Sequence, residues 1–342
     1  MPISKDKQIA HIRAIKAILA ESPVVMAPMA GITDKTFRQL AKEQGAGLTY
    51  TEMISAKALS YANVKTQALL DIDGERGPVA AQFFGAEPEV MAEAAVKAQK
   101  GGAAFADVNM GCPVPKVVKN GEGSALLDKP ELAARIVTAM CMAADIPVSV
   151  KIRLGTDSRH IVTPDFAVRM EEAGASLIAV HGRTRDQYYS GKADWAQIRR
   201  IKEAVGVPVV GNGDIWAPAD ARRMMEQTDC DAVMVGRAAL GNPWLPGRIA
   251  AYLLRGDMGR APEKDERIRM ALEHCRRLIM LKGESKAMPE MRKHLAWYLK
   301  GLPGTAALKD KLFHCARYAE AKELLLSYLR TTAQEKRNSS LG

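Results

Sequence analysis

Eight short apolar runs punctuate the chain at intervals that leave room for one helix each, and no other feature narrows the fold so much. They are VVMAPMAG (24–31), LTYTEM (48–53), VAAQFFG (79–85), FADVNMG (105–111), VSVKIRLG (148–155), LIAVHGR (177–183), VPVVGNGD (207–214) and DAVMVGRA (231–238). Their starts lie 24 to 43 residues apart, which suits a strand, a crossover helix and two loops. The stretches between them, such as EPEVMAEAAVKAQKGG and PELAARIVTAMCMAAD, carry apolar residues at helical spacing. Eight such units predict an α/β protein, a (β/α)8 TIM barrel. A doubly wound open sheet is the alternative. The count of eight weighs against it, as does the lack of a GxGxxG after the first run.

The pattern changes after Pro243 and Trp244. From about residue 263 the apolar residues keep helical spacing only, as in RIRMALEHCRRLIML and MRKHLAWYLKGL. The predicted organisation is an N-terminal helix (1–20), the barrel (21–254), a small all-α helical bundle (255–335) and a frayed tail (336–342). Charge follows this division. Residues 255–342 hold 19 Lys and Arg against 11 Asp and Glu, so they supply +8 of the chain's formal +10. A basic helical face is either a solvated surface or a surface for a polyanion such as nucleic acid.

The five cysteines (Cys112, Cys141, Cys230, Cys275 and Cys315) are dispersed and form no CxxC pair. That argues for reduced thiols in a cytoplasmic protein and against a metal site of the zinc type. No stretch approaches the roughly 18 uninterrupted apolar residues of a membrane helix. The N-terminus has charges scattered through it and reads as an ordinary helix rather than a signal peptide.

In a barrel of this kind the active site is built at the C-terminal ends of the strands, so the last residues of each run matter most. The first run ends Ala27-Pro28-Met29-Ala30-Gly31. The third carries Gln82, and the fourth carries Asp107 and Asn109 before Gly111-Cys112-Pro113. The fifth carries Lys151 and Arg153, and the sixth ends at His181 with Arg183 beyond. The seventh ends Gly211-Asn212-Gly213-Asp214 and the eighth Gly236-Arg237. Polar side chains in apolar strands need partners or a function. Glycines after the last two strands let backbone N–H groups approach a phosphate, and Arg237 adds a guanidinium fork. A flavin mononucleotide (FMN) fits such a mouth. Its phosphate would lie by Asn212–Asp214 and Gly236–Arg237, and Lys151 would face the ring edge that gathers negative charge. Gln82 would meet the pyrimidine edge, and Pro28–Ala30 would lie against the ring.

Cys112 differs from the other thiols because it sits in a Gly-Cys-Pro turn at this rim. It is a candidate nucleophile, with His181 as base, or a candidate general acid. A thiol with an ordinary pKa near 8.5 is protonated at neutral pH and suits the second role.

These motifs together resemble the bacterial tRNA-dihydrouridine synthases, most closely their B subgroup. The resemblance rests on MAPMAGITDKTFR, DVNMGCPVPKVVKNGEGSALL, VKIRLG, VHGRTRDQYYSGKADW, GNGDI and VGRAALGNPW, and extends to MRKHLAWYLKG. It implies an FMN-binding barrel with a tRNA-binding helical domain. NADPH (or NADH) would reduce the flavin, hydride would reach C6 of a D-loop uridine, and Cys112 would protonate C5. It implies flavin contacts at Pro28, Met29, Ala30, Gln82, Lys151, His181, Asn212, Gly213, Asp214, Gly236 and Arg237. Asn109, Arg153 and Arg183 would lie by the substrate. A monomer acting on tRNA, with no membrane partner, is expected. One departure is Pro115, where the B subgroup is expected to carry a basic residue, so the loop after Cys112 is expected to be stiffer and less charged. Three other readings stay open: an FMN oxidoreductase for a free small molecule (dihydroorotate dehydrogenase-like), a Schiff-base aldolase using Lys151, and a non-catalytic RNA-binding protein.

Overall fold

The computed structural model describes the backbone of residues 3–339 and the side chains of residues 3–331. Nine parallel strands occur in chain order: β1 (Val24–Met26), β2 (Leu48–Tyr50), β3 (Ile54–Ser55), β4 (Val79–Phe84), β5 (Phe105–Met110), β6 (Val148–Arg153), β7 (Leu177–His181), β8 (Val209–Asn212) and β9 (Ala232–Val235). Pairing runs β2-β1-β9-β8-β7-β6-β5-β4, and β2 pairs again with β4, so eight strands close a barrel. The expected TIM barrel is therefore what the chain forms. Among the described residues, the two-residue β3 pairs only with β4, at its C-terminal end. It is the extra strand that the period-two pattern of TYTEMIS hid.

Helices follow the strands as the repeat requires. Pro88, Pro130 and Pro218 each open one, where their missing N–H is no loss. In Pro130–Ala143 the residues Ala133, Ile136, Val137, Met140 and Cys141 are buried at i, i+3, i+4 spacing. The longest interval, between β5 and β6, holds more than its helix. It also contains a short turn of helix at Pro115–Lys119 and a 3-10 segment at Gly123–Asp128. Pro115 stands at the first position of that turn, so it pre-organises the segment after Cys112.

Along β5 and β7, inward-facing side chains change from apolar to polar. Phe105, Leu177, Val25, Leu48, Tyr50 and Ala179 form one buried cluster with Ile15 and Leu19 of the helix Lys5–Glu21, which seals the floor. Two residues beyond Phe105 on β5 and Ala179 on β7 stand Asp107 and His181, while β6 contributes Ser149 and then Lys151. Parallel register then aligns Gln82 with Asp107, Asp107 with Ser149, Asn109 with Lys151, Arg153 with His181, and His181 with Asn212. All strands are parallel, so these polar layers share one end of the barrel.

The chain divides into two compact units. One takes the residues up to Ala238 with Leu245–Met258, and the other takes Ala239–Trp244 and the chain from Gly259 onward. The second unit contains helices Lys264–Lys282, Glu284–Tyr298, Ala306–His314 and Tyr318–Ser339. Its own core includes Ile268, Cys275, Met288, Leu295, Leu312 and Leu325. Of the 336–342 tail, residues up to Ser339 continue the last helix and the final three lie outside the described residues. No helix among the described residues is long and apolar enough to cross a membrane.

Candidate active site

Cys112 lies half-buried just past the end of β5, and its backbone is held on every side. Asn109 Oδ1 accepts from the Gly111 and Cys112 N–H groups, at 3.1 and 2.9 Å. The Gly111 carbonyl accepts from Arg153 Nε at 2.9 Å. The Cys112 carbonyl accepts from the Ser124 N–H at 3.1 Å and from its hydroxyl at 2.8 Å. Ser124 reaches this position because Gly123 adopts φ +60°. A Cβ there would stand 3.0 Å from the Cys112 carbonyl oxygen and 2.9 Å from Val117. The glycine in GEGSALL is thus required by the thiol-bearing turn itself.

Below the turn the polar strand residues bond to one another. Gln82 Nε2 donates to Asp107 (2.7 Å) and Asn109 Nδ2 donates to Gln82 Oε1 (2.8 Å). Ser149 donates to the other oxygen of Asp107 at 2.5 Å. Gln82 is fully buried, so its amide is engaged at both ends within the protein. Lys151 stands apart: among the described residues its hydrogen-bond partner is the neutral Asn212 Oδ1, at 3.3 Å. Asn212 turns its Nδ2 to the Met234 carbonyl at 2.8 Å.

Two buried arginines serve the loops. Arg153 donates from each guanidinium nitrogen to a backbone carbonyl: Gly111, Thr184 (2.8 Å) and Tyr188 (2.9 Å). Arg183 donates to both oxygens of Asp214 at 2.8 Å and to the carbonyls of Ser190 and Gly191. Both were expected near the substrate. Their planar forks tie the loop after β7 to the Cys112 turn and to Asp214, a geometry suited to several carbonyls at once. Gly213, at φ +125°, leaves the space that His181 and Ala193 fill. Arg237 lies between the Tyr189 ring (4.5 Å) and the Trp216 ring (5.2 Å), with Asp214 at 3.4 Å. In the turn after β1, Pro28 and Met29 are half-buried and Ala30 is exposed. There the Met29 N–H donates to Thr33 and the Gly31 N–H to the Glu52 carboxylate.

Residues 25–335 match the family model described as dihydrouridine synthase. The chain belongs to the dihydrouridine synthase family. It is 41% identical to a protein of Synechocystis named probable tRNA-dihydrouridine synthase 1, over 91% of this chain and 87% of that protein. Proteins named tRNA-dihydrouridine synthase B, from Xanthomonas axonopodis and Pseudomonas aeruginosa, are each 43% identical. They align over 83% and 82% of this chain and 85% of their own lengths. Among solved structures, histamine dehydrogenase from a Rhizobium species (TM-score 0.53, 14% identity) shares the barrel fold over 73% of this chain. An amine oxidase from Pseudomonas geniculata (TM-score 0.54, 13%) does so over 82%. This chain spans about half the length of either, at 48% and 52%.

In this dihydrouridine synthase the charges at the mouth shift one another. Burial raises the Cys112 thiol above its ordinary pKa despite Arg153 and Lys151 nearby, so it holds its proton at neutral pH. Burial, then the charge of Arg153, lowers Lys151 to about 8. His181 is driven far below the imidazole range by burial and then by Lys151, Arg153, Arg183 and Arg237, so it is neutral. A ring so reluctant to take a proton is a poor base, which weakens the nucleophile reading of Cys112. Burial raises Asp107 to about 6. The strand pattern marks Asp107 without giving it a role, and it does not mark Ser149, Tyr189 or Trp216 at all. The aromatic pair is legible in the sequence only as QYY and DIW beside the motifs.

Proposed function

We propose that this protein is a flavin-dependent tRNA-dihydrouridine synthase in which Cys112 delivers a proton to C5 of a tRNA uridine. The observation that carries the reading is the half-buried thiol whose turn is fixed at both N–H groups and both carbonyls. When bound, FMN supplies the reducing equivalent for C6, drawn from a nicotinamide dinucleotide, with NADPH as the expected reductant. The mouth fits that cofactor on two counts. Lys151 is a cation with a neutral partner, and Gly236 opens a cradle in which a Cβ would meet only Ala27, at 3.7 Å.

Lys151 would hold the electron-rich edge of the ring while charged, and Pro28, Met29 and Ala30 would line it. The amides of Gly213 and Gly236, with Asn212, Asp214 and Arg237, would form the phosphate end. His181, as a neutral group, would orient ligands by hydrogen bonding without changing charge. Asn109 would hold the Cys112 turn, and the fully engaged forks of Arg153 and Arg183 would keep the loops in place around the base. Uracil's C5=C6 bond is conjugated to the C4 carbonyl, so saturation at C6 leaves an enolate whose C5 needs a proton. Cys112 keeps one available because burial opposes thiolate formation. The target base must leave its stack to lie in the mouth.

The helical unit would bind the folded RNA through its basic surface, where Lys286 and Lys311 are exposed. A soluble cytoplasmic monomer fits this role. The test is Cys112→Ala: it is expected to retain flavin and tRNA binding and to lose dihydrouridine formation by about 10²–10⁴-fold, measured by mass spectrometry of digested tRNA. Unimpaired turnover would remove the proton-donor role.

A further inference from the structure

We propose that Asp107 is a positioning residue for Cys112, acting through the side-chain amides of Gln82 and Asn109. The argument rests on the direction of each hydrogen bond. An ionised carboxylate only accepts, whereas an amide donates at nitrogen and accepts at oxygen. Asp107, on β5, takes the Ser149 hydroxyl at 2.5 Å and Gln82 Nε2 at 2.7 Å. The second contact turns Gln82 Oε1 away from Asp107, where it accepts from Asn109 Nδ2 at 2.8 Å. That contact in turn points Asn109 Oδ1 at the N–H groups of Gly111 and Cys112, at 3.1 and 2.9 Å.

Turning Gln82 over would set its oxygen against the carboxylate and its NH2 against the NH2 of Asn109. Both contacts would be repulsive, so the carboxylate selects one state of the whole chain. Asp107 and Gln82 are fully buried, and Asn109 is 7% exposed, so water offers little alternative partner. Register supports the relay. Gln82, Asp107 and Ser149 are directly paired across β4, β5 and β6, one layer below the rim. Asp107 makes no hydrogen bond to Cys112; its charge also acts on Lys151, which acts on the thiol, so the relay is isolated by combining variants at 107 and 109 rather than by Asp107→Asn alone.

The proposal rests on the reading of Cys112 as proton donor, but its test does not. Cys141, Cys230, Cys275 and Cys315 are buried, so iodoacetamide labelling of the folded protein, mapped by peptide, reports Cys112. Asp107→Asn frees the Gln82 amide to face either way, since an amide at 107 can donate as well as accept. The expected result is a rise of about threefold or more in the Cys112 alkylation rate at fixed pH, with a lower apparent thiol pKa. In an Asn109→Ala background the same substitution is expected to change the rate by less than about 1.5-fold, the non-additivity of groups acting in series. If Asp107→Asn does not fold, Gln82→Met breaks the same relay and enters the same cycle. An unchanged Cys112 rate in a folded variant, or independent effects of positions 107 and 109, would overturn the proposal. Loss of the relay with Cys112→Ala still active would instead remove the proton-donor reading and leave the positioning intact.

Discussion

The barrel mouth and the helical unit both carry many charges, and they use them in opposite ways. At the mouth the charged groups are largely withdrawn from water and engaged by named partners: Arg153 by three carbonyls, Arg183 by Asp214, Asp107 by Ser149 and Gln82. Their pKa values move because burial and mutual repulsion act at short range and low dielectric. In the helical unit many of the described cations are at the surface, although Arg267 and Arg292 are half-buried and donate to the carbonyls of Lys300 and Cys315. Several pair with a carboxylate one helical turn away, as Arg276 and Arg277 do with Glu273. Lys286 and Lys311 remain exposed. Such charges are screened by salt and add little to stability, yet they suit a phosphate backbone. One region holds defined geometry around a small reacting group, and the other presents a diffuse positive field.

The comparison breaks first at Lys151, whose loss should have the largest effect after that of Cys112. Lys151→Met removes a charge-assisted hydrogen bond of about 1.5–3 kcal/mol and is expected to weaken FMN binding roughly 10- to 100-fold, read by fluorescence titration. In the native protein the cation is present below about pH 8 and lost above it. FMN affinity should therefore fall between pH 7 and 9, and the Lys151→Met variant should not share that fall. Equal pH dependence in both proteins would reassign the effect to another group.

Substituting Lys286, Lys293, Lys309 and Lys311 by Ala should act on tRNA alone. For every phosphate that no longer meets a lysine, the slope of log affinity against log salt should shrink by roughly 0.7–0.9, with the flavin spectrum unchanged. An unaltered slope would return these lysines to a solvated face. A further effect is on stability rather than on binding. The folded pKa of Asp107 is raised, so its penalty is absent below about pH 4, grows from there and is complete above about 6. Its size is on the order of 3 kcal/mol. The Tm gain of Asp107→Asn over the native protein is expected to be larger at pH 7.5 than at pH 4.5. The reverse order would mean that the buried carboxylate is stabilised by its partners more than it is disfavoured by burial. A variant that is steadier at neutral pH and looser at Cys112 would be a trade of function against stability.

Much of the architecture was legible because it is periodic. Apolar runs at a strand-helix interval specify parallel strands, and parallel strands put all their C-terminal ends on one side. Polar residues there, from Gln82 to Arg237, were therefore visible as site candidates, as was Cys112 by its place in a Gly-Cys-Pro turn. The basic C-terminal unit was equally visible, because net charge needs no geometry. What each candidate bonds to was not visible. The period of two tells which face of a strand a residue occupies, but not its neighbour across the sheet, which register alone decides. Arg153 and Arg183 looked free to meet a substrate until the folded loops brought carbonyls to their forks. Asp107 looked like one more polar strand residue until β4 and β6 set Gln82 and Ser149 on either side of it. The sequence by itself determined the barrel, its catalytic end and the charge division, since these follow from pattern and composition. Only the tertiary structure decided the direction of each hydrogen bond around the thiol, because that direction depends on atoms contributed by separate strands and loops.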